Sequence, residues 1–428
     1  MIKLSDFGVE RKDMVLSSGV RLVTFEKKGL PINMSILIRS GSRYDPKGKE
    51  GLAHFTEHMV VAGTKNFPSP DKLSIFIERL GGVYGASTSS EVITLSVAVG
   101  DPDDISSAAV LVHEMLEESL FDTLTIENER QSILKELGDK KAKPDNYIGE
   151  LYKQLFFQNT PVGRSIIGNE GTINSITRMD LLDFYHNMLT IDRMTIVAGG
   201  DVEIENVATE IENKLAMKNG GKHEFDRELP EYRKINTAVH KYPGIGQIHI
   251  IIGHRTVPEI HEDAVILDTI ASISGGSRAA SLQQNLRYKS GLVYGVGAFS
   301  MSGSDHGSWG VSTSTSKDKV QEVLDLITGE FERISLGKIT ADELSFAKDK
   351  IIKSTRRQMQ TAGSWVGFHA FGELIDPENY LKLDDYLNRV NAITLKDLSV
   401  VGAKYFRKDS WYLAMTGDID ESDVTVNY

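Results

Sequence analysis

The sequence predicts an α+β protein with two tandem homologous domains, each an α/β sandwich in which helices cover one face of a mixed or antiparallel sheet. One reason is length, because 428 residues exceed what a single ordinary core accommodates. The other is an internal duplication. Residues 175–201 align without a gap on residues 392–418 at an offset of 217, and Gly81–Gly85 match Gly291–Gly295 at an offset of 210. Two matches at nearly equal offsets indicate two related halves.

Both halves contain the same kinds of predicted element. Short segments rich in β-branched residues, in which apolar and polar residues alternate, predict strands. Longer segments with apolar residues three and four positions apart predict helices. The predicted strands are 20–28, 34–42, 92–100, 247–255, 307–316 and 410–418. The predicted helices are 51–64, 69–82, 104–120, 126–142 and 320–334.

A polar, glycine-bearing stretch without periodicity separates the halves and marks the domain boundary. We place the first domain at residues 1–217, the linker at 218–232 and the second domain at 233–428.

Composition excludes several classes of function. The net charge of -12, without a basic tract carrying interleaved aromatic residues, argues against a nucleic-acid partner. The chain has no stretch of 18 apolar residues and no apolar leader, so we expect no membrane partner and a cytoplasmic location. Because the chain contains no cysteine, any metal must be bound by histidine and carboxylate side chains.

The strongest local pattern is His54-Phe55-Thr56-Glu57-His58. Two histidines four residues apart lie one turn apart on one face of a helix, where both imidazoles reach a single metal ion. A glutamate beside them can accept a proton from water activated by zinc, so Glu57 is the candidate general base. The order His-x-x-Glu-His is a known inverse zinc motif. Catalytic zinc needs a third protein ligand, which here must be His, Asp or Glu.

The residues around this motif resemble the active-site helix of the pitrilysin superfamily, which includes insulin-degrading enzyme and the mitochondrial processing peptidase. The similar residues are Gly51–Met59 and Gly63-Thr64. The resemblance covers nearly the whole chain and implies a short two-domain form, half of a clamshell, with one zinc ion per chain. It also implies that the third ligand is a glutamate on a later helix.

The segment that matches this later helix is residues 129–136. The match implies that Glu136 is the third zinc ligand. It also implies that Glu129, two turns earlier on the same face, is an accessory glutamate that orients a ligand. Glu127 is the main competitor of Glu136 for the ligand position.

The second half has Asp263–Gly276 where the first half has the zinc motif, so the metal site is predicted once per chain. The second half carries Arg287 and Tyr294, seven residues apart, which resemble the family's Arg/Tyr motif. A tyrosine hydroxyl can donate to a developing oxyanion, and a guanidinium can bind a peptide carbonyl.

One position departs from the family. The family pattern GG-x-x-N-A-x-T on the substrate-binding strand corresponds here to Gly81–Thr88, with Gly85 in the place of Asn. A backbone-binding amide is therefore absent, although addition of a peptide to a strand edge needs only main-chain groups.

Together with the resemblance, these features predict a zinc metalloendopeptidase that cuts peptides or unfolded segments, and the resemblance implies that it does so in a chamber between two paired subunits. In the insulin-degrading enzymes, which resemble two such chains fused, the zinc motif and the Arg/Tyr pair lie in different halves. Both motifs occur once in this chain, so the resemblance implies a homodimer with shared active sites. The alternative is a non-catalytic scaffold or processing subunit of the same fold. A half-active chain that needs a different partner is disfavoured, since both motifs occur in one sequence.

Overall fold

The computed structural model describes residues 4–158, 160–216 and 236–428. These residues form two compact units. Residues 4–138, 164–216 and 356–384 belong to the first unit, and residues 139–158, 160–163, 236–355 and 385–428 belong to the second. Each unit therefore includes one segment from the other half of the sequence. The predicted linker, 218–232, lies outside the described residues, and its bounds stay a prediction.

The first unit contains a six-stranded mixed sheet in the order β1-β2-β6-β3-β5-β4. Strands β2 and β6 are parallel, and the other neighbours are antiparallel. The strands are β1 (Glu10–Val15), β2 (Arg21–Glu26), β3 (Ile32–Ile38), β4 (Val83–Thr88), β5 (Ile93–Val99) and β6 (Met194–Gly200).

The second unit contains a five-stranded sheet in the order β7-β11-β8-β10-β9. Its one parallel pair is β7 and β11, which correspond to β2 and β6. The two sheets therefore share strand order and direction, apart from the additional β1. This repeat confirms the predicted α+β class with two tandem mixed sheets. The strands are β7 (Asn236–Lys241), β8 (Gln247–Thr256), β9 (Val296–Ser302), β10 (Gly307–Ser316) and β11 (Trp411–Gly417).

Helices surround both sheets. Among the described helices, none has the length and apolar character needed to cross a membrane. In chain order they are α1 (Leu52–Ala62), α2 (Pro70–Glu78), α3 (Ile105–Glu117), α4 (Thr123–Ala142), α5 (Pro144–Phe156), α6 (Glu170–Ser175), α7 (Arg178–Met188), α8 (Ile204–Lys214), α9 (Ala264–Gly275), α10 (Val320–Ser335), α11 (Ala341–Gln358), α12 (Ala362–Ile375), α13 (Leu383–Ala392) and α14 (Leu395–Tyr405).

The duplication is visible in matching local contacts. Thr177 and Thr394 precede α7 and α14 in the same capping box. The threonine side chain accepts a hydrogen bond from the backbone N–H of the aspartate three residues later, and that aspartate side chain accepts one from the backbone N–H of the threonine. These two helices lead into β6 and β11, the buried strands of the two sheets. The gapless sequence match therefore reflects one repeated helix-to-strand unit.

The main set of helices packs against one face of the first sheet, as predicted, but the second face is also covered. There α12 packs against β2, β3 and β6. The ring of Phe25 stacks on His369 with centroids 4.4 Å apart, and a Cβ at Gly199 would approach Val366 to 3.1 Å. The second unit has an equivalent helix, α5, against β7, β8 and β11. This second layer explains why β6 and β11 are buried along their whole lengths.

Two arginines bind these covering helices in matching ways. Arg39, which follows β3, donates from Nη2 to the carbonyl of Ile375 at 2.9 Å. Arg255, near the end of β8, donates from Nε to the carbonyl of Phe156 at 2.8 Å. A cation at the C-terminal end of a helix satisfies carbonyl groups that have no partner within the helix. Helix α5 comes from the first half of the sequence but belongs to the second unit, and α12 comes from the second half but belongs to the first unit. The same arginine contact therefore stabilises the exchanged helix in both units.

Candidate metal centre and substrate edge

Helix α1 carries the histidine pair, and its N-terminus is fixed by a buried carboxylate. Asp45 is 2% exposed and accepts hydrogen bonds from the backbone N–H groups of Gly51 and Ala53, each at 2.8 Å. Gly51 has φ of +99°, and a Cβ there would lie 2.6 Å from the carbonyl oxygen of Ile167. Glycine is therefore required where the chain turns into the helix.

His54, His58 and Glu136 converge. The Oε2 atom of Glu136 lies 3.8 Å from Nε2 of His54 and 3.7 Å from Nε2 of His58. One ligand atom from each of the three side chains lies within 4.8 Å of the others, so they could bind one metal ion. Two imidazole nitrogens and one carboxylate oxygen are a donor set that catalytic zinc takes, with a further position left for water. The residues present therefore fit the predicted metal.

The two other glutamates of α4 have different neighbours. The Oε2 atom of Glu129 lies 2.9 Å from Nδ1 of His58, as expected for a residue that orients this imidazole. Glu127, the competitor for the ligand position, instead forms an ion pair with Arg130 at 3.2 Å. The structure thus brings Glu136, and not Glu127, to the two histidines. Burial alone would lower the pKa of His58, but the hydrogen bond with Glu129 and the nearby carboxylate of Glu136 outweigh it and raise this pKa to about 9.

Glu57 lies on the same face of α1, with its side chain 12% exposed. Its Oε2 atom accepts a hydrogen bond from Oγ1 of Thr88 at 2.9 Å and lies 4.0 Å from Nε2 of His54. Burial raises the pKa of Glu57 above its usual value, and the Thr88 hydrogen bond and the charge of His58 oppose this shift. A carboxylate with a raised pKa is a more effective proton acceptor near neutral pH.

Strand β4 borders this group of residues. It is an edge strand of the first sheet, and its outer side pairs with no other strand among the described residues. Gly85 lies in its middle, where a Cβ would have Oγ of Ser96 as its nearest neighbour at 3.4 Å. The backbone therefore leaves room for a side chain, and packing does not require the glycine that replaces the family's asparagine.

Arg287 and Tyr294 lie together in the second unit, whereas the metal-binding candidates belong to the first. Arg287 is part of a π-helical segment, Gln283–Lys289. Its guanidinium carbon lies 5.1 Å from the ring centroid of Tyr294 and 5.3 Å from that of Tyr288, within the range of cation–π contacts. Tyr294 is 87% exposed. This pair is therefore accessible on the second unit.

Sequence reasoning missed two contributors to the site. Thr88 belongs to the glycine-rich pattern Gly81–Thr88, so a signal for it was present. Asp45 had no local signal, because it lies six and eight residues ahead of the amides it binds. Buried Glu114 of α3 accepts hydrogen bonds from Thr64 and Asn66, in the turn that follows α1.

Family models match most of the chain. Residues 27–170 match the model described as Insulinase (Peptidase family M16), and residues 175–351 match the model described as Peptidase M16 inactive domain. Relatives over nearly the whole length have related names. A zinc protease of Rickettsia felis is 26% identical over 88% of this chain and 93% of its own length. The mitochondrial-processing peptidase subunit beta of Dictyostelium discoideum is 26% identical over 96% of this chain and 89% of its own.

Solved structures agree on the fold. A protease from Helicobacter pylori has a TM-score of 0.86 at 22% identity, covering 96% of this chain and 99% of that chain. A Pseudomonas fluorescens structure described as a peptidase M16 inactive domain has a TM-score of 0.88 at 17% identity, covering 96% and 98%. On the sequence matches, the chain belongs to peptidase family M16, the pitrilysin or insulinase family, in its short two-domain form.

Proposed function

We propose that the chain is a zinc-dependent endopeptidase that hydrolyses peptides or unfolded polypeptide segments. One observation carries the proposal: His54, His58 and Glu136 present three metal-binding atoms within 4.8 Å of one another, with Glu57 beside them. The zinc proteases among the relatives support it at the level of the family.

The proposed mechanism assigns a role to each residue. When bound, zinc would polarise a water molecule and lower its pKa to about 7. Glu57 accepts a proton from the attacking water through its carboxylate and delivers it to the leaving amine. His54, His58 and Glu136 bind the metal, and Glu129 keeps the His58 ring in place through Nδ1.

The substrate is proposed to bind along β4. An extended peptide can add to an edge strand through main-chain hydrogen bonds alone, and β4 has one unpaired side within the described residues. Because Gly85 offers no side-chain amide, recognition there depends on the backbone. Selection should follow the size and unfoldedness of the substrate rather than one side chain.

Arg287 and Tyr294 complete the proposal. The tyrosine hydroxyl would donate to the oxyanion of the transition state, and the guanidinium would bind a substrate carbonyl. We place this pair in the active site of a partner subunit, in a homodimer that encloses the substrate. The names of two similar proteins, a subunit of a mitochondrial processing peptidase and complex III2 from Candida albicans, support pairing of subunits in this fold.

A non-catalytic scaffold remains the second candidate function. It is favoured by the resemblance to a chain of complex III from Candida albicans, with a TM-score of 0.80 at 16% identity over 97% of this chain. A scaffold has no need for a complete set of metal-binding and proton-accepting side chains, and here all four converge. We therefore prefer the enzyme.

Metal analysis combined with a peptide-library digest tests the proposal. The purified chain should contain about one zinc ion per chain and cut flexible peptides, and a chelator should stop the cleavage. A stably folded domain in the same reaction should remain intact. If the purified chain contains no zinc and cuts no peptide even after zinc is added, the result would support the scaffold instead.

A further inference from the structure

Thr88 lies where the proposed substrate strand reaches the proposed general base. It is the last residue of β4, and side chains alternate between the two faces of a strand. Tyr84 and Ala86, four and two residues earlier, pack against the core of the first unit. Thr88 therefore points to the same face of the sheet, toward α1, while Val83 on the other face is 66% exposed.

The Thr88 hydroxyl makes a direct contact with the carboxylate of Glu57. Oγ1 donates to Oε2 at 2.9 Å, between two partly buried side chains. Hydrogen bonds to a charged group are about twice as strong as neutral ones. The same Oε2 atom is 4.0 Å from Nε2 of His54, too far for a hydrogen bond. Thr88 is thus the side chain that fixes this oxygen from outside α1.

We propose that Thr88 is a positioning residue for Glu57. Its hydrogen bond holds the proton acceptor at a fixed place relative to the strand on which the peptide is bound. The inference rests on the proposed function and deepens it. A peptide added to β4 has its backbone placed by that strand, and the hydrogen bond places the carboxylate relative to the same strand. Base and scissile bond then keep a constant separation, which proton transfer requires.

Two substitutions separate the hydroxyl from the shape of the side chain. Thr88→Val keeps the branched shape and removes the donor, whereas Thr88→Ser keeps the donor. We expect Thr88→Val to retain zinc and to lower kcat by about 10-fold, with KM changed by less than about twofold. Thr88→Ser should stay within about threefold of the parent in kcat. Thr209→Val, in the exposed surface of α8, is the matched control and should behave as the parent.

The outcomes are distinct from those of the proposed function. Glu57→Gln is measured in parallel, and turnover by that variant would reject the proposed function itself. If Glu57→Gln is inactive while Thr88→Val equals the parent, only the role of Thr88 is rejected. Equal losses in Thr88→Ser and Thr88→Val, a rise in KM alone, or loss of zinc would also reject it. Should Thr88→Val not fold, Thr88→Ala is compared with Thr88→Ser in its place.

Discussion

The Nδ1 atom of His58 lies 2.9 Å from Oε2 of Glu129, while Nε2 of the same ring lies 3.7 Å from Oε2 of Glu136. The two nitrogens of one imidazole therefore have separate carboxylate partners on the same helix, seven residues apart. When a histidine binds a metal, a carboxylate on its other nitrogen fixes the ring orientation and increases its basicity. This arrangement makes Glu129 a residue that acts through His58.

Removal of the Glu129 carboxylate should weaken zinc binding without abolishing it. We expect Glu129→Ala to reduce the zinc affinity by about 10- to 100-fold, because all three ligands remain and only the orientation of His58 is lost. Glu127→Ala, two residues earlier on α4, is the control, since Glu127 pairs with Arg130 outside the cluster. Competition with a chelator of known affinity measures both. Equal affinities in the two variants would contradict this role.

Loss of the proton acceptor and loss of a ligand should have different consequences. We expect Glu57→Gln to bind zinc as the parent does and to lose nearly all turnover, because the three ligands remain while the base is gone. His58→Ala should lose the metal as well, since it removes one of three protein ligands. Zinc content and peptide cleavage are measured on the same samples. Cleavage by Glu57→Gln at a rate near that of the parent would show that the mechanism is wrong.

The residues alone predicted the local part of the site, whereas the nonlocal part either required the family resemblance or was missed. His54, Glu57 and His58 lie within one and a half helical turns, so their spacing alone places them on one face. The prediction of Glu136 depends on the family resemblance, because spacing along one helix does not say which side chain of another helix approaches it. Asp45 was missed for the same reason, since its contacts depend on how a loop folds back onto α1.

The fold shows the same division. The duplication and the alternating strands indicated two related sheets. The gapless match also shows that β6 and β11 occupy equivalent positions in the two repeats. The exchange of α5 and α12 between units was not predicted. Periodicity shows which face of a helix is apolar, but not which sheet covers that face. The contacts of Arg39 and Arg255 that accompany the exchange join residues more than 90 positions apart.

Acid should destabilise the protein through buried neutral histidines. Burial lowers the pKa of His254 to about 3, and the same cause lowers that of His369 to about 3. An unfolded histidine titrates near 6.5, so between about pH 6.5 and 3 the unfolded chain binds more protons than the folded one. The stability contributed by each residue is complete above about pH 6.5 and is lost as the pH falls, by about 2 kcal/mol between pH 7 and pH 5.

His254→Phe tests this prediction. The ring of His254 is surrounded by Phe331, Phe406 and Tyr428, so a phenyl ring suits the site. We expect urea unfolding of the parent to shift more between pH 7 and pH 5 than that of His254→Phe, because the variant has lost one titrating group. Exposed His186 provides the control, since His186→Phe should keep the pH dependence of the parent. Identical pH dependence in the parent and His254→Phe would contradict the assignment.

The last prediction concerns the homodimer. The proposed zinc ligands belong to the first unit and Arg287 and Tyr294 to the second, and each set occurs once per chain. Two copies related by a twofold axis can therefore form two composite sites, each with His54, His58 and Glu136 from one subunit and the Arg/Tyr pair from its partner. Light scattering should give a dimer at the concentrations at which peptides are cut, and a fully active monomer would contradict the model.

Mixing two inactive variants decides whether the sites are shared. Glu57→Gln lacks the proton acceptor, and Tyr294→Phe lacks the proposed oxyanion donor, so neither homodimer contains a complete site. If the pair acts across the interface, a mixed dimer has one site with both lesions and one with neither, and its activity should be about half of the parent's. If the pair acts within one chain, each subunit keeps its own lesion and mixing restores nothing.

Subunits are exchanged by mild denaturation and refolding, and each variant refolded alone provides the baseline. Because only a shared site regenerates an intact set of residues, recovery of activity after mixing distinguishes the two arrangements without knowledge of the physiological substrate.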